Sequence, residues 1–376
     1  MYIGNSNNEI GDIGEMKISA KNWMLFYIII QTIILSCIAL IVIVIDPFFH
    51  YHKPLDNLYY TLESQLQRYY NDGITKHFDY NAIVTGTSMT ENFKATEVND
   101  IFSVNTIKVP FSGGYFKEIN DNLNVAFEYN SNIEMVVRSL DMEKFFATKD
   151  TLRFEESMYP WYLYNENPFD DIKYVLNRDV VFSRCWEMIH AKWSGGESGI
   201  TSFDKYSRWM DNDKDYFNKE QVLKGRVKYE EPLEIKELTV EDKRNICENI
   251  YQNVIITAQK NPNTEFYYFI PPYSIAWWGK IYEQGNIKRQ LEAEELLIEM
   301  VLKCDNIKLF SYNNFMEITT NLSNYKDVIH YSDKINSMIL LYMKNGIGQL
   351  TKENYREYLE TERKLYTEYD YNSLFE

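Results

Sequence analysis

The sequence is poor in cysteine, glycine and proline: its 376 residues include only 4 Cys, 15 Gly and 9 Pro. Four cysteines are too few for a disulfide framework. Cys185, Cys247 and Cys304 lie far apart without CxxC spacing, so we expect buried thiols rather than a metal site. The low Gly and Pro content, without any repeat, excludes a collagen-like, low-complexity or solenoid protein. The length therefore suits one large α/β domain with insertions, or two domains.

Positive charge is also scarce, with 39 Lys and Arg against 55 Asp and Glu and a formal net charge of −16. Such a surface repels phosphate backbones, so we expect no nucleic-acid partner. No Walker loop and no GxGxxG motif follows a predicted strand, and His50-x-His52 has no partner at metal-ligand spacing. The sequence therefore predicts neither a cofactor nor a metal.

One long apolar run departs from this globular composition. Trp23–Ile45 contains no charged residue, and as a helix it would cover about 34 Å, enough for the roughly 30 Å hydrocarbon core of a bilayer. Asp46-Pro47 would end that helix, and no small-x-small cleavage site follows it. We therefore predict an uncleaved transmembrane anchor that includes Cys37. A buried core helix is the alternative interpretation.

The positive charges around this run predict its orientation. Lys17 and Lys21 precede it and Lys53 follows it, which favours a cytoplasmic N-terminus. We therefore predict a cytoplasmic tail over 1–21, a transmembrane segment over 22–45, and a single-pass cell-membrane protein whose main domain is extracellular.

The rest of the chain alternates short apolar runs with helical patterns. Helical spacing over 54–70, followed by the turn residues Asn71-Asp72-Gly73, predicts a juxtamembrane helical linker over 46–77. Buried strands are predicted further on, at Ala82–Thr85, Thr106–Phe111, Ile133–Leu140, Phe266–Ile270 and Ile307–Ser311. Helices are predicted between and after them, at 90–102, 115–129, 240–260, 286–303 and 333–345.

These strand–helix units predict an α/β fold in which helices cover both faces of a parallel sheet. We expect a flavodoxin-like three-layer α/β/α sandwich with a five-stranded parallel sheet. The stretch 146–236, rich in Tyr, Trp, Asp and Asn, breaks the alternation and is predicted to be a helix and loop insertion over one sheet edge or over the site. The domain would span 78–346, and 347–376 would form a charged C-terminal helix and tail.

The first predicted strand ends at Gly86-Thr87-Ser88, at the edge of the sheet where open α/β proteins bind ligands. A Gly-x-Ser turn there can present the Ser88 hydroxyl at the start of a helix, whose free N–H groups favour a developing oxyanion. The alternative is that Thr87 or Ser88 only caps the helix.

Asp327-Val328-Ile329-His330, about 240 residues later, can supply the base and the group that orients it. An Asp three residues before a His in a loop can accept the Nδ1 proton and leave Nε2 free. A lone surface histidine is the alternative, since only folding can bring this pair to Ser88.

Polar groups also follow the other predicted strands. Ser112-Gly113-Gly114 comes after the second strand and offers backbone N–H donors for an oxyanion. Leu140-Asp141 comes after the third strand and Ser274 after the fourth. Because parallel strands end at one edge, the sequence predicts a catalytic Ser88, Asp327 and His330 beside the oxyanion or substrate-binding residues Gly113, Gly114, Asp141 and Ser274.

These motifs resemble, in order, the first, second and last blocks of the SGNH/GDSL hydrolases over roughly 78–345. With its anchor, the chain is most similar to cell-surface acyltransferases of the alginate acetylation and DltD types. The resemblance implies Ser88 as nucleophile, His330 as base and Asp327 as the orienting acid. Thr87 stands where the family often has Asp, and Leu140-Asp141 where its third block normally gives an Asn to the oxyanion hole.

The resemblance implies a membrane-anchored O-acyltransferase or esterase that modifies a cell-surface polysaccharide through an acyl-enzyme. It also implies a membrane-bound O-acyltransferase as partner. Insertion 146–236 is then the candidate lid, because exclusion of water decides between transfer and hydrolysis. The missing Asn motivates the alternative of a non-catalytic scaffold or glycan-binding subunit of an envelope acylation complex. A structural envelope protein with a fortuitous Gly-x-Ser turn is a third interpretation.

Overall fold

The computed structural model describes residues 19–210 and 217–376. Most of the predicted tail 1–21 lies outside these ranges, as do residues 211–216 of the insertion. The strands are β1 (Tyr59–Tyr60), β2 (Ala82–Gly86), β3 (Thr106–Pro110), β4 (Met135–Ser139), β5 (Gly199–Ile200), β6 (Glu265–Ile270), β7 (Ile307–Ser311) and β8 (Gln349–Leu350).

The α-helices of the described ranges carry numbers in chain order. The first group comprises α1 (Ala20–Ile45), α2 (Gln67–His77), α3 (Ala95–Phe102), α4 (Phe116–Tyr129), α5 (Ile172–Val175), α6 (Arg178–Val180), α7 (Trp186–Trp193) and α8 (Lys219–Leu223). The second comprises α9 (Val240–Ile250), α10 (Ile256–Lys260), α11 (Ile275–Glu283), α12 (Ile287–Val301), α13 (Met316–Thr319), α14 (Asp333–Lys344) and α15 (Tyr355–Glu368). π-Helical turns at Val181–Cys185 and Tyr251–Ile255 join α6 to α7 and α9 to α10.

The main sheet is mostly parallel, which confirms the predicted α/β class. Its strand order is β3-β2-β4-β6-β7-β8, and only β8 runs antiparallel. The sheet thus has six strands rather than the five predicted. The sequence did not indicate β8 because two residues are too short to show an alternating pattern, and β8 exists only through its pairing with β7.

The central strands form the core of the domain. Every residue of β2, β3 and β4 is buried, including Lys108 and Arg138. Arg138 donates from its guanidinium to the backbone oxygens of Asn253 and Phe116, which satisfies part of its hydrogen-bonding capacity in the interior. Cys185 and Cys304 are buried as expected, whereas Cys247 is half-buried.

Helix α2 differs from the prediction, because the expected turn at 71–73 lies inside it. Asn71 is fixed by its side chain, which donates to the Pro110 oxygen (2.7 Å) and accepts from the Tyr206 hydroxyl (2.8 Å). A Cβ on Gly73 would lie 2.4 Å from the backbone oxygens of Phe48 and Phe49, so only glycine permits this close approach. Tertiary contacts therefore keep helical a segment whose local sequence favours a turn.

Helix α1 stands apart from the core. It is long and apolar enough to span a membrane, and its side chains are exposed from Ala20 to Cys37. Only its last two turns contact the domain, where Val42 and Ile45 are buried. The length and composition of α1 therefore confirm the prediction of one N-terminal helix that can span a membrane.

The insertion 146–236 is mostly helix and loop, but it also supplies β5, which pairs in parallel with β1. The pairing joins the insertion to the segment that follows α1. Further along, Thr96 donates from both its backbone and its hydroxyl to Asp204. The insertion is thus held against the sheet domain at several points.

The C-terminal helix α15 packs over α12 through a buried carboxyl pair. The Asn313 amide donates to both Glu294 and Glu362, at 3.3 Å and 2.9 Å for the nearer oxygens. The Tyr358 hydroxyl lies 3.3 Å from Glu294 Oε1 and 3.2 Å from Glu362 Oε1. These four residues are called the Glu294–Glu362 cluster below.

Candidate active site

Strand β2 ends in a tight turn that exposes a hydroxyl. Gly86 has a φ of 145°, and a Cβ there would lie 2.4 Å from Ser139 Oγ, so the position requires glycine. The Met89 N–H donates to Thr87 Oγ1 (3.3 Å), which makes Thr87 the cap of the turn Ser88–Thr90. The capping alternative thus applies to Thr87, and the Ser88 hydroxyl lines a cavity.

The turn that carries Ser88 is a single 3-10 turn, whereas a helix was predicted over 90–102. Helix α3 begins only at Ala95, because Lys108 Nζ donates to the backbone oxygens of Glu91 (2.6 Å) and Phe93 (2.9 Å). Ser88 therefore does not lie at the N-terminus of an α-helix, and no helix dipole supports it.

A short loop between α13 and α14 holds the second part of the site. Tyr325 pairs with Tyr331 across its base, and the Lys326 N–H donates to the His330 oxygen (2.9 Å). Within this loop, Asp327 Oδ1 accepts from the backbone N–H groups of Ile329 and His330, each at 2.9 Å. The backbone therefore fixes the Asp327 carboxylate beside the imidazole that it serves.

The structure brings Ser88, His330 and Asp327 together. Ser88 Oγ lies 2.8 Å from His330 Nε2, and His330 Nδ1 lies 2.7 Å from Asp327 Oδ2. An Nδ1–H that donates to Asp327 leaves Nε2 as the acceptor for the Ser88 hydroxyl. This is the geometry of a nucleophile, a base and an orienting acid.

The electrostatics of the pair keep the carboxylate charged. Burial lowers the pKa of His330, but the hydrogen bond and charge of Asp327, with the charges of Glu91 and Asp141, outweigh it and leave the pKa raised. Burial raises the pKa of Asp327, yet its hydrogen bonds and the His330 charge bring that pKa to about 2. Asp327 can therefore stabilise an imidazolium at neutral pH.

The two predicted oxyanion glycines have different surroundings. Gly113 lines the cavity, and a Cβ there would lie 3.1 Å from Arg153 Nε. Gly114 donates its N–H to the Phe111 oxygen (2.7 Å) and lies outside the cavity lining. Among the described residues, neither the Ser88 N–H nor the Gly113 N–H donates a hydrogen bond. Of the two glycines, Gly113 rather than Gly114 thus has a backbone N–H that is available to an oxyanion.

Asp141 was predicted as an oxyanion or substrate-binding residue; it lines the cavity, and three hydroxyl groups surround its side chain. It accepts from Ser139 (2.6 Å), Thr87 (2.8 Å) and Tyr273 (3.1 Å), and it is buried. Burial, only partly offset by these hydrogen bonds, raises its pKa. Asp141 therefore ties the Ser88 turn to two other strand ends.

Ser274 does not lie in the cavity, where it was predicted to bind an oxyanion or substrate. It is fully buried, and its hydroxyl donates to the Val328 oxygen (2.7 Å) and caps helix α11. Its N–H donates to the same oxygen (3.1 Å). Ser274 therefore anchors the loop that carries Asp327 and His330, and does not reach the cavity.

The triad opens into a cavity of about 890 Å³. The insertion contributes Arg153 and Trp209 to its wall, and the Trp209 ring meets the His330 ring edge to face at 5.7 Å. Sequence reasoning missed both residues, because the insertion has no periodic pattern. Its unusual aromatic content was the one signal that could have indicated a cavity wall.

No protein-family model and no curated protein matches the chain. One solved structure, from Streptococcus pneumonia and described provisionally as a platelet activating factor, is similar to it with a TM-score of 0.34 and 12% identity. The similarity covers 79% of this chain and 92% of that chain.

Proposed function

We propose that the chain is a membrane-anchored, SGNH-like serine esterase or O-acyltransferase that acts on a cell-surface polysaccharide. The observation that carries this proposal is the 2.8 Å approach of Ser88 Oγ to His330 Nε2 inside the cavity. A serine that merely caps a helix needs no imidazole at this distance, and a surface histidine needs no carboxylate bound through three hydrogen bonds.

The proposed reaction begins with an acyl ester in the cavity. Ser88 Oγ attacks the ester carbonyl while His330 Nε2 takes the hydroxyl proton. The C–O bond to the leaving alcohol breaks, and that alcohol takes the proton from His330. A sugar hydroxyl or a water then attacks the acyl-serine while His330 Nε2 takes its proton. The bond from the acyl carbon to Ser88 Oγ breaks, and His330 gives that proton to Ser88 Oγ. Asp327 stays ionised and stabilises the imidazolium in both steps.

The oxyanion of this reaction would be bound by the backbone N–H groups of Ser88 and Gly113. Arg153 lies against Gly113, and its guanidinium makes no ion pair with any residue of the described ranges. A cation at this place can bind the developing charge or an anionic group of the substrate. Backbone donors and Arg153 would thus replace the Asn that is absent at Leu140-Asp141.

We also propose a location for the chain and a finer architecture, beyond the observed parallel sheet and apolar helix α1. Helix α1 would cross the membrane with its N-terminus in the cytoplasm, as Lys17 and Lys21 favour, and the domain would lie outside. The sheet would be the middle layer of a flavodoxin-like sandwich. A membrane-bound O-acyltransferase would supply the acyl group from across the bilayer, and the insertion would limit the access of water to the acyl-enzyme.

The proposal is tested with the purified full chain in detergent, given an acetyl ester such as p-nitrophenyl acetate and an unacetylated polysaccharide. We expect Ser88-dependent release of p-nitrophenol, with acetate formed by an esterase and acetylated polysaccharide by a transferase. The matched control is Ser332→Ala, a serine on the same edge of the domain that starts α14.

The scaffold alternative gives the opposite result in this assay. It predicts polysaccharide binding that is equal in the native chain and in Ser88→Ala, with no ester cleavage by either. Equal p-nitrophenol release from the native chain and from Ser88→Ala would also contradict the proposed reaction.

A further inference from the structure

A group of exposed apolar side chains lies beside the end of α1. Phe169 (88% exposed), Ile172 (58%), Phe182 (62%), Trp186 (51%) and Trp193 (75%) project from the insertion. Phe182, Trp186 and Trp193 are spaced by four and seven residues, which places them on one side of a helical segment. These five residues are called the 169–193 apolar face.

The structure fixes this face relative to α1. The last turns of α1 pack against α5 and against the π-helical turn Val181–Cys185. The Tyr174 hydroxyl donates to Asp46 Oδ1 (2.8 Å), directly after α1, and the Phe48 and Tyr174 rings stack at 5.8 Å. Asp171 also accepts from the Tyr51 hydroxyl (3.0 Å). The elements that carry the face are thus attached to the end of the helix.

The length of α1 determines how deep these elements lie. Its free apolar part, Trp23–Cys37, covers about 22 Å as a helix, less than the roughly 30 Å hydrocarbon core of a bilayer. A bilayer spanned by α1 must therefore also cover about five further residues, Ile38–Val42. Because α5 and Val181–Cys185 pack beside the last turns of α1, they come to the level of the lipid interface.

The composition of the segment suits that level. Residues 169–193 carry four acidic and four basic side chains, whereas the whole chain has a net charge of −16. The segment is therefore not repelled by lipid headgroups, and its attraction must come from burial of apolar area. Tryptophan, like tyrosine, is also enriched at the membrane–water interface.

We propose that the 169–193 apolar face is inserted into the lipid interface next to α1 and seats the domain on the bilayer. This inference rests on the proposed membrane anchor. The same insertion supplies Arg153 and Trp209 to the cavity, so a seated insertion holds the Ser88 cavity at a fixed height above the membrane. The occupant of the face is lipid, not a second protein.

The test uses the full chain in vesicles, with one environment-sensitive nitrobenzoxadiazole probe at a time. Phe182→Cys and Trp186→Cys, each combined with Cys37→Ser and Cys247→Ser, carry the probe on the face. Leu341→Cys, 52% exposed on α14 and placed in the same Cys37→Ser and Cys247→Ser background, is the matched control. Native Cys37 in the Cys247→Ser chain reports on α1 itself. The chains are labelled in detergent and then reconstituted into phosphatidylcholine with and without doxyl-labelled acyl chains.

We expect doxyl lipid to remove most of the fluorescence at 182, 186 and 37, and little at 341. The same result is expected when anionic lipid is added, because burial and not charge seats the face. Probes at 182 and 186 that behave like the one at 341, while the probe at 37 is quenched, would overturn the inference and leave the anchor intact. So would disulfide cross-linking of two unlabelled copies of the Phe182→Cys chain through the introduced thiol. An unquenched probe at 37 would refute the anchor and the inference together.

Discussion

Two clusters of hydrogen-bonded carboxylates, at different places in the domain, have opposite properties. In the triad, the side chains of His330 and Asp327 are 25% and 47% exposed and line the cavity with Ser88. In the Glu294–Glu362 cluster, both carboxyl groups are completely buried and share the donors Asn313 and Tyr358. The first cluster can meet a substrate, and the second only joins α12, α15 and the end of β7.

Their pKa shifts run in opposite directions. The pKa of Asp327 is brought to about 2 by its donors, despite partial burial. Burial raises the pKa of Glu362 to about 7, and burial with the neighbouring charge raises that of Glu294 well above its usual range. A shifted pKa therefore does not by itself indicate a catalytic group. The comparison shows that access and a charged partner must accompany it.

The largest expected difference between the clusters is in activity. Ser88→Ala and His330→Ala should each lower kcat for ester cleavage by about 10⁶-fold, because the nucleophile and its base act as one unit. The double variant should lose no more than either single variant. Steady-state kinetics with p-nitrophenyl acetate measures all three, and losses that multiply in the double variant would contradict a shared role.

Asp327→Asn should lower kcat by about 10⁴-fold and also move the pH profile. His330 must be neutral to act as base, so activity should rise with pH through its pKa. The Asp327 charge raises that pKa, so its removal should shift the rising limb to lower pH. Profiles of kcat/KM from pH 4 to 9 measure this shift. A rising limb that does not move would show that Asp327 does not act on the pKa of His330.

Asp141→Asn should have a smaller effect, about 10²-fold or less on kcat, because Asp141 is buried and acts on the Ser88 turn through its hydrogen bonds. The amide nitrogen of Asn cannot accept a hydrogen bond, so one of the hydroxyls of Thr87, Ser139 and Tyr273 loses its acceptor. Asp141 is a positioning residue on this account. The kcat and KM of Asp141→Asn are compared with those of Asp141→Glu and of the native chain. A large rise in KM with kcat unchanged would indicate that Asp141 binds substrate instead.

The smallest effect is on stability, in the Glu294–Glu362 cluster. Because the folded pKa of Glu362 lies above the unfolded value near 4.5, its contribution to stability is present below pH 4.5 and is lost as pH rises towards 7. Glu362→Gln should remove this dependence and raise the free energy of unfolding at pH 8 by roughly 1–3 kcal/mol, with little change at pH 4.

Urea unfolding of the full chain in detergent at both pH values measures that difference. Ester cleavage by Glu362→Gln should equal that of the native chain, which separates the closed cluster from the open one. A loss of activity in this variant would mean that the two clusters are not independent.

The sequence allowed the three triad positions to be predicted because each carries a local signal. Gly86-Thr87-Ser88 follows an apolar strand, and an Asp three residues before His330 can form a closed loop. The distance of 2.8 Å across 242 residues could not be predicted, because it depends on strand order. Trp209 was missed because nothing local distinguishes an aromatic residue that packs on an imidazole from one that packs in a core.

The wrong predictions share one physical cause, which is contact with residues that are distant in sequence. Lys108 delays the start of α3 by binding two backbone oxygens, and Asn71 stays helical because Pro110 and Tyr206 bind its amide. Strand β8 forms only against the edge of β7. In each case the partner lies elsewhere in the sequence, and no local pattern reveals it.

The most direct test of the central claim, that Ser88 is a nucleophile activated by His330, is labelling of the full chain with a fluorophosphonate probe. We predict one labelled serine, Ser88 by peptide mass spectrometry, with labelling lost in Ser88→Ala and His330→Ala and retained in Glu362→Gln. Labelling that is absent from the native chain, or that is unchanged in His330→Ala, would contradict the account.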